Sequence, residues 1–223
     1  MSKIDLNNIS HSYNPNDPNP IYALNPFSMT WENGKRYAIL GPSGCGKTTM
    51  LNIVSGLVRP SKGSILFDDK DVTDLKTESR NIAQVFQFPV IYNTMTVYEN
   101  LAFPLKCRDF LKDKIDERVK SVADTLNLQS FLNSPARKLT ADQKQLISLG
   151  RGLVREDVAA VLMDEPLTVI DPDLKFRLRR KLKEINEEFK TTLVYVTHDQ
   201  NEAMTFADNI IVMSEGEVVQ AGT

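Results

Sequence analysis

The stretch that decides the fold of this chain is Gly41-Pro42-Ser43-Gly44-Cys45-Gly46-Lys47-Thr48. It fits the pattern G-x-x-x-x-G-K-[ST], in which glycines let successive backbone N–H groups turn inward around phosphate oxygens. The lysine of this pattern reaches the β- and γ-phosphates, and the threonine hydroxyl can bind Mg²⁺. An apolar run at 37–40 precedes the loop, and residues 49–54 continue as a helix whose positive dipole end faces the same anion. Strand, glycine loop and helix together predict a nucleotide-binding site.

The composition limits the classes of protein to which the chain can belong. Its 223 residues suffice for one large domain or a core with a smaller lobe. The formal net charge of −2 gives no general basic field that would attract nucleic acid. The two cysteines, Cys45 and Cys107, lie far apart and one is inside the glycine loop, so we expect no structural disulfide and a reducing cytosol.

Membrane segments are also not expected from the sequence. Residues 1–6 lack the apolar core of a signal peptide, and no apolar run approaches the ~18 residues needed to span a bilayer. If the protein works at a membrane, an integral partner must therefore hold it there.

The first half of the chain changes from strand patterns to helical ones. Residues 27–31 and 36–40 read as strands that flank Asn33-Gly34, which is a strong hairpin signal. From about 89 to 152 the pattern turns helical, with apolar residues at helical spacing over 113–128. This middle segment predicts a helical lobe.

The β pattern then returns in the second half. Residues 158–163 are apolar throughout, as expected for a parallel strand covered on both faces. Asp171-Pro172 opens a helix, with Asp as N-cap and Pro at the first position. Residues 193–197 read as a second buried strand, and 210–220 as a final hairpin. Alternating strands and helices predict an α/β domain with a mainly parallel sheet.

Polar residues at the predicted strand ends supply the chemistry that a phosphate loop needs. Asp164 would hold Mg²⁺ directly or through water, and Glu165 would polarise the attacking water as general base. The alternative is two surface carboxylates at a strand end. His198 closes a strand that would run parallel to the one ending in Asp164, so it could contact the γ-phosphate. Gln87 could contact Mg²⁺ or the water, or simply lie on the surface, and we expect His11 to face solvent.

These motifs, in this order, resemble those of the ATP-binding subunit of an ATP-binding cassette (ABC) transporter, over nearly all 223 residues. The resemblance implies ATP and Mg²⁺ as cofactors, Tyr13 stacked on adenine, Gln87 as the Q-loop residue, Glu165 as catalytic base, Asp171 as the D-loop aspartate and His198 as the switch histidine. It assigns nucleotide contacts to Tyr13, Gly41, Pro42, Ser43, Gly44, Cys45, Gly46, Lys47, Thr48, Thr49, Thr140, Asp142, Gln143 and Asp171, catalysis to Glu165, His198 and Gln87, and Mg²⁺ to Thr48, Gln87 and Asp164.

One segment departs from the family pattern. The family signature LSGGQ reads Leu139-Thr140-Ala141-Asp142-Gln143 here, while Gln145 and Arg151 keep the register of the family helix. In the family, two cassettes bind ATP across their interface, and the signature of one covers the γ-phosphate held by the other. A carboxylate about 6 Å from a phosphate charge costs about 3 kcal/mol per unit charge at an effective dielectric near 20. Either Asp142 weakens the partner's site, which favours a heterodimer of related cassettes, or it points away and a homodimer works.

The resemblance also implies an architecture and an assembly. It implies a P-loop NTPase core with a mainly parallel sheet, an N-terminal antiparallel β subdomain and an α-helical subdomain. The cassette would be one domain over 1–223, with 1–87 and 153–223 as the catalytic core and 88–152 as the helical lobe. The C-terminal β-rich regulatory domain usual in sugar importers is not expected within these residues, so the protein is either short or a cut version of a longer one.

The layout most resembles sugar and polyol importers, and the segments 86–92 and 139–152 look closest to glycerol-uptake cassettes. The implied partners are integral membrane permease subunits, a second ABC ATPase subunit and, indirectly, a periplasmic solute-binding protein, with no nucleic acid. The implied place is peripheral, at the cytoplasmic face of the inner membrane. Two other hypotheses are a soluble cassette ATPase acting on DNA or ribosomes, which the charge and length disfavour, and a binding-only cassette, which the intact Glu165 and His198 disfavour.

Overall fold

A computed structural model describes residues 2–168 and 170–223 of the chain. The strands are β1 Ile4–Ser12, β2 Tyr22–Trp31, β3 Arg36–Leu40, β4 Lys62–Phe67, β5 Lys70–Asp71, β6 Ile82–Val85, β7 Ala160–Asp164, β8 Thr192–Thr197, β9 Asn209–Ser214 and β10 Glu217–Gly222. The α-helices are α1 Lys47–Ser55, α2 Val97–Lys106, α3 Lys112–Thr125, α4 Ala141–Leu153, α5 Pro172–Phe189 and α6 Gln200–Phe206.

The central sheet has six strands in the order β10-β9-β3-β8-β7-β6. All its pairs are parallel except β10 with β9, which form the predicted final hairpin. Because side chains alternate across a strand, Val161 and Met163 of β7 face one apolar core and Leu162 faces the other. Covering both faces explains the unbroken apolar run, and the predicted α/β fold with a mainly parallel sheet is confirmed.

The hairpin predicted around Asn33-Gly34 is wrong. A turn exists, with the Lys35 N–H donating to the Glu32 carbonyl at 3.4 Å, but β2 pairs with β1 and β3 pairs with β8 and β9. Side chains of β2 alternate between half-buried and exposed, which suits a sheet with one wet face, whereas Tyr37, Ala38 and Ile39 of β3 are all buried. The central sheet can bury both faces of β3, whereas the sheet that contains β2 cannot. The turn therefore carries the chain from the sheet of β2 to the central sheet.

The second sheet is antiparallel and has the order β2-β1-β4-β5. Its inner face packs on α1 and on one face of the central sheet, with Trp31, Leu6 and Ile65 fully buried beside Met50 and Leu51 of α1. Near the end of β1 the register shifts repeatedly against β2. The N-terminal antiparallel subdomain therefore holds α1 in place from the side opposite the helical lobe.

The helical lobe comprises α2, α3 and α4, which pack together against the other face of the central sheet. The chain approaches closely where α4 crosses β6, since a Cβ atom on Gly152 would lie 2.9 Å from a methyl carbon of Val85. Within the described part of the chain, no helix has the length and apolar character needed to cross a bilayer.

Candidate functional site

The glycine loop joins β3 to α1 at the carboxyl edge of the central sheet. Gly46 has φ of 102° and directly precedes α1, and a Cβ atom there would lie 2.5 Å from the carbonyl oxygen of Ala23. Only glycine fits both the left-handed conformation and the close approach of β2. The loop thus brings its backbone N–H groups to the start of α1, where the helix dipole favours an anion.

Lys47 lies inside this loop, with 5% of its surface exposed. Its ammonium donates hydrogen bonds to the carbonyl oxygens of Gly41 (2.7 Å) and Pro42 (2.8 Å). The loop carbonyls therefore hold the charged group at the centre of the loop, within reach of any anion that the loop encloses.

Thr48 and Asp164 meet at the base of the loop. The Thr48 hydroxyl donates to Asp164 Oδ2 at 2.8 Å. Burial raises the pKa of the Asp164 carboxyl, the neighbouring charge of Glu165 adds to the rise, and the Thr48 hydrogen bond and the Lys47 charge oppose it. No group of three or more His, Cys, Asp or Glu side chains that could hold a metal occurs among the described residues. The hydroxyl–carboxylate pair nonetheless fits Mg²⁺, which takes few protein oxygens and completes its shell with water and phosphate.

Glu165 contacts His198, as their strand-end positions require. Because β7 and β8 are parallel neighbours, both residues emerge at one edge, and His198 Nδ1 lies 3.3 Å from Glu165 Oε2. The hydroxyl of Thr168 donates to the same oxygen at 3.3 Å. Glu165 has φ of 44°, and its N–H donates to the carbonyl of Val196 on β8. A backbone in the left-handed region thus turns this carboxylate toward the histidine.

A buried carboxylate supports the loop that carries His198. Glu202 is 8% exposed, and its Oε2 accepts hydrogen bonds from the hydroxyls of Tyr195 (3.0 Å) and Thr197 (2.8 Å). Its Oε1 accepts from Arg179 of α5 at 3.2 Å. Burial beside this carboxylate raises the pKa of Tyr195 well above its ordinary value. Glu202 therefore ties α5 and α6 to the end of β8.

Tyr13 stands beside the glycine loop with 65% of its surface exposed. Its hydroxyl lies 3.1 Å from that of Thr49, and the ring of His11 packs edge-on against it with centroids 4.6 Å apart. The expectation that His11 faces solvent is wrong, because β1 turns it inward against Ser61 and leaves it 7% exposed. Tyr13 thus presents an open aromatic face, held by one hydrogen bond and one ring contact.

The signature segment forms the first turn of α4. Thr140 is the N-cap, its hydroxyl accepts from the N–H of Gln143 at 3.4 Å, and the Gln143 side chain accepts from the N–H of Thr140 at 3.0 Å. Asp142 is half-buried in the same turn, where an acidic side chain complements the helix dipole. Among the described residues, segment 139–143 forms hydrogen bonds with Ala136, with Lys144 and within the cap of α4, and none of its hydrogen bonds reaches the glycine loop 41–48.

Gln87 follows β6 and is exposed. Asp171 caps α5 as predicted, accepting from the N–H groups of Asp173 (3.0 Å) and Leu174 (3.4 Å). These placements leave the roles of Gln87 and Asp171 in nucleotide binding as predictions.

Comparison with known proteins places this site in a family. A family model described as "ABC transporter" matches residues 24–168. The chain belongs to the ABC transporter family. The trehalose/maltose import ATP-binding protein MalK of Thermococcus litoralis is 44% identical to this ABC cassette over 209 residues, which cover 91% of the cassette and 56% of that protein.

Two further similarities concern sequence and structure. An sn-glycerol-3-phosphate import ATP-binding protein, UgpC 3 of Agrobacterium fabrum, is 40% identical over 223 residues, which cover the whole cassette and 62% of that protein. The dimeric structure of the ATP-binding cassette MJ0796 in a post-hydrolysis state, bound to ADP and Pi, superposes with a TM-score of 0.88 at 29% identity and covers 99% of this chain and 98% of that one. The chain spans 56–62% of the length of these two curated relatives.

Several residues that organise the site were not identified from the sequence. Thr168 donates a hydrogen bond to Glu165 itself, and Glu202 accepts one from Thr197, the residue before His198. The sequence assigns Gln145 no role beyond the register of the signature helix. Asp199 and Glu202 have the Asp-x-x-Glu spacing of a capping box, and Asp199 does cap α6. That spacing suggests a surface role for Glu202, whereas its carboxylate turns into the protein.

Proposed function

We propose that this chain is the ATP-binding and ATP-hydrolysing subunit of an ABC importer that takes up a carbohydrate or a polyol such as glycerol. The observation that carries the proposal is the meeting of Glu165 with His198 beside the pair Thr48–Asp164, at the mouth of the glycine loop. The relatives described above, which are trehalose/maltose and sn-glycerol-3-phosphate import ATP-binding proteins, support the class of solute.

ATP would bind with its phosphates in the loop 41–48 and its adenine on Tyr13. Lys47 can exchange the carbonyls of Gly41 and Pro42 for phosphate oxygens, because its ammonium already lies at the centre of the loop. The loop N–H groups and the start of α1 add hydrogen bonds to the same charge. The hydroxyl of Thr49 fixes the phenol of Tyr13 and so sets the distance between the aromatic face and the loop.

Thr48 and Asp164 would hold Mg²⁺, with Gln87 as a further candidate ligand. When bound, the ion supplies positive charge that stabilises the charge developing on the phosphates. The Thr48 hydroxyl donates to Asp164, so these two groups are already oriented toward one another.

Glu165 would accept the proton of the attacking water. Its carboxylate is held by the Thr168 hydroxyl and His198, both at 3.3 Å, and these contacts orient the oxygen that must face the water. His198 is exposed at the sheet edge and can turn from Glu165 to a γ-phosphate oxygen. The histidine would therefore respond to the presence or loss of that phosphate.

A second ATPase subunit would complete the site, because among the described residues the signature turn of α4 makes no hydrogen bond with this chain's own loop. Asp142 in that turn favours a related cassette over a second copy of this chain, and Thr140 and Gln143 would face the partner's nucleotide. Turnover by a mixture of this chain and a partner lacking its own catalytic glutamate tests the asymmetric form. Full activity of this chain alone would instead support a homodimer.

The membrane permease would bind at the helical lobe, on the cytoplasmic face of the inner membrane, with a periplasmic solute-binding protein on the other side. A cleft of about 210 Å³ lies there between β6, α2 and α4, lined in part by Val90, Pro104, Arg108 and Arg151. Phe88, which is 71% exposed, lies next to Gln87 in the segment that leads into this lobe. Changes at the γ-phosphate would thus reach the permease through the segment that begins at Gln87.

The decisive experiment compares Glu165→Gln with wild type and with Glu188→Gln, an exposed glutamate of α5. Each is purified with candidate membrane and cassette partners, and ATP turnover and ATP binding are measured. We expect Glu165→Gln to lower kcat by about a hundredfold or more while ATP binding persists, because a general base typically contributes 10²–10⁴-fold. Equal turnover in the two variants would refute the assignment, and failure to co-purify with any membrane subunit would count against the importer.

A further inference from the structure

One buried amide joins three segments that the proposed function uses. Gln145 lies in α4, is 0% exposed, and donates hydrogen bonds from Nε2 to the carbonyl oxygens of Phe86 (3.2 Å) and Pro166 (2.9 Å). Phe86 immediately precedes Gln87, and Pro166 immediately follows Glu165. A single side chain of the signature helix α4 therefore contacts the backbone next to Gln87 and the backbone next to Glu165.

The two carbonyls lie where the sheet no longer holds the strands together. The parallel pairing of β6 with β7 ends at Val85 and Met163, and the chain then diverges into the segments that begin at Phe86 and Glu165. The Nε2 group of Gln145 uses both of its hydrogens to bridge these segments beyond the last ladder pair. The Gln145 side chain thus links the two segments beyond the point where backbone pairing joins β6 to β7.

The helix that carries this amide is itself fixed closely to β6. Gly152 lets α4 approach Val85, and Thr140 and Gln143 hold its first turn by reciprocal hydrogen bonds. Gln145 lies on this helix two residues after Gln143. Its two hydrogen bonds therefore connect the signature turn to both carbonyls.

The orientation of the amide follows from its partners. The carbonyl oxygens of Phe86 and Pro166 require the NH₂ group of Gln145 to point toward them. The opposite assignment would place the amide oxygen against these two acceptor oxygens. The other atom, Oε1, is buried and accepts no hydrogen bond from the described residues. The site therefore selects a donor, and an apolar side chain of the same size would leave both carbonyls without their bond to α4.

We infer that Gln145 is a positioning residue. It sets the position of the backbone at Phe86 and at Pro166, next to Gln87 and Glu165, relative to the signature helix α4. Through it, the segments that carry Gln87 and Glu165 move with α4 as one unit. The effect on turnover rests on the proposed ATPase function. The effect on local backbone stability does not, because it follows from the hydrogen bonds alone.

The test uses the full chain and measures amide hydrogen exchange by mass spectrometry in wild type, Gln145→Leu and Gln145→Met. Methionine is unbranched and of similar length, so it provides a second variant if leucine does not fit. We expect exchange in segments 86–92 and 165–168 to accelerate about tenfold or more, since loss of a hydrogen bond to a buried group changes local opening by that order. Exchange in the loop 41–48 should stay unchanged.

Val122→Ala is the matched control, because it removes apolar volume from the core of the helical lobe without touching the amide. Unchanged exchange in 86–92 and 165–168 in both Gln145 variants would overturn the inference, as would an equal acceleration in the control. With the partner subunits present, the Gln145 variants should lower kcat about tenfold while KM for ATP stays within twofold. Absence of hydrolysis in wild type would contradict the proposed function while leaving the exchange result to decide the inference.

Discussion

Glu202 offers the sharpest test of how the site is held in place. Its Oε2 accepts from Tyr195 and Thr197, its Oε1 accepts from Arg179, and the Lys175 ammonium lies 3.9 Å from Oε1. The side chains of Glu202 and Arg179 are only 10% and 13% exposed. The substitution Glu202→Gln keeps the shape, removes the charge, and turns one oxygen into an NH₂ group that must face either two hydroxyls or a guanidinium.

The size of the effect follows from these contacts. Removing one partner of a buried ion pair costs about 3–5 kcal/mol, and hydrogen bonds to a charged group contribute about 1.5–3 kcal/mol each. The amide retains some of these bonds, so we expect a loss of about 3 kcal/mol in the free energy of unfolding. For a chain of this length that corresponds to a fall in Tm of about 6–12 °C.

Thermal unfolding followed by circular dichroism measures the change. The matched control is Glu184→Gln on α5, where the carboxylate pairs with Lys181 at 2.8 Å and Arg180 at 3.4 Å on the surface and its side chain is 45% exposed. Such pairs are screened by solvent, so the control should shift Tm by less than about 2 °C. If Glu202→Gln and Glu184→Gln shift Tm equally, the buried network around Glu202 does not stabilise the end of β8.

Three further predictions concern the nucleotide site. Burial lowers the pKa of His11 below its ordinary 6.5, so the unfolded chain binds a proton that the folded chain does not. The free energy of unfolding should therefore decrease as the pH is lowered from 7.5 to 5.5. Urea titrations should show a smaller decrease for His11→Gln than for wild type. A bulky thiol reagent should modify exposed Cys107 quickly and buried Cys45 slowly, as followed by mass spectrometry. Modification of Cys45 should block ATP binding, and bound ATP should protect it; a rate unaffected by ATP would contradict its place in the site. In an assembled pair of cassettes, Asp142→Gly should raise turnover at the partner's site by up to about a hundredfold, equivalent to about 3 kcal/mol, whereas unchanged turnover would mean that the carboxylate points away.

The elements that were predicted correctly are those whose cause is local. The loop before α1 needs glycine at 46 for its left-handed backbone, and α5 needs Asp171 and Pro172 at its start. The apolar runs of β7 and β8 reflect burial on both faces, which a sequence records directly. Because these strands are parallel neighbours, the polar residues that follow them could be placed at one edge in advance.

Elements that depend on a distant partner were missed or wrong. The turn at Asn33-Gly34 is compatible both with a hairpin and with a passage between sheets, and the neighbours available to β3 decide between them. Glu202 has the spacing of a surface cap, yet the hydroxyls of β8 and Arg179 of α5 draw its carboxylate inward. A sequence does not record which donors a fold brings together over such separations.

The sequence by itself determined the glycine loop, the mainly parallel sheet and the acidic and histidine residues at its carboxyl edge, because local backbone geometry and alternating burial require particular residues at particular spacings. Only the tertiary structure decided which groups hold those residues: Thr168 and His198 on Glu165, Glu202 behind His198, and Gln145 between Phe86 and Pro166. The contacts of His198 with Glu165, of Arg179 with Glu202 and of Gln145 with Phe86 and Pro166 link elements that are separate along the chain. The physical reason is that hydrogen-bond partners of buried polar groups are set by packing, which brings donors and acceptors together irrespective of their distance in sequence.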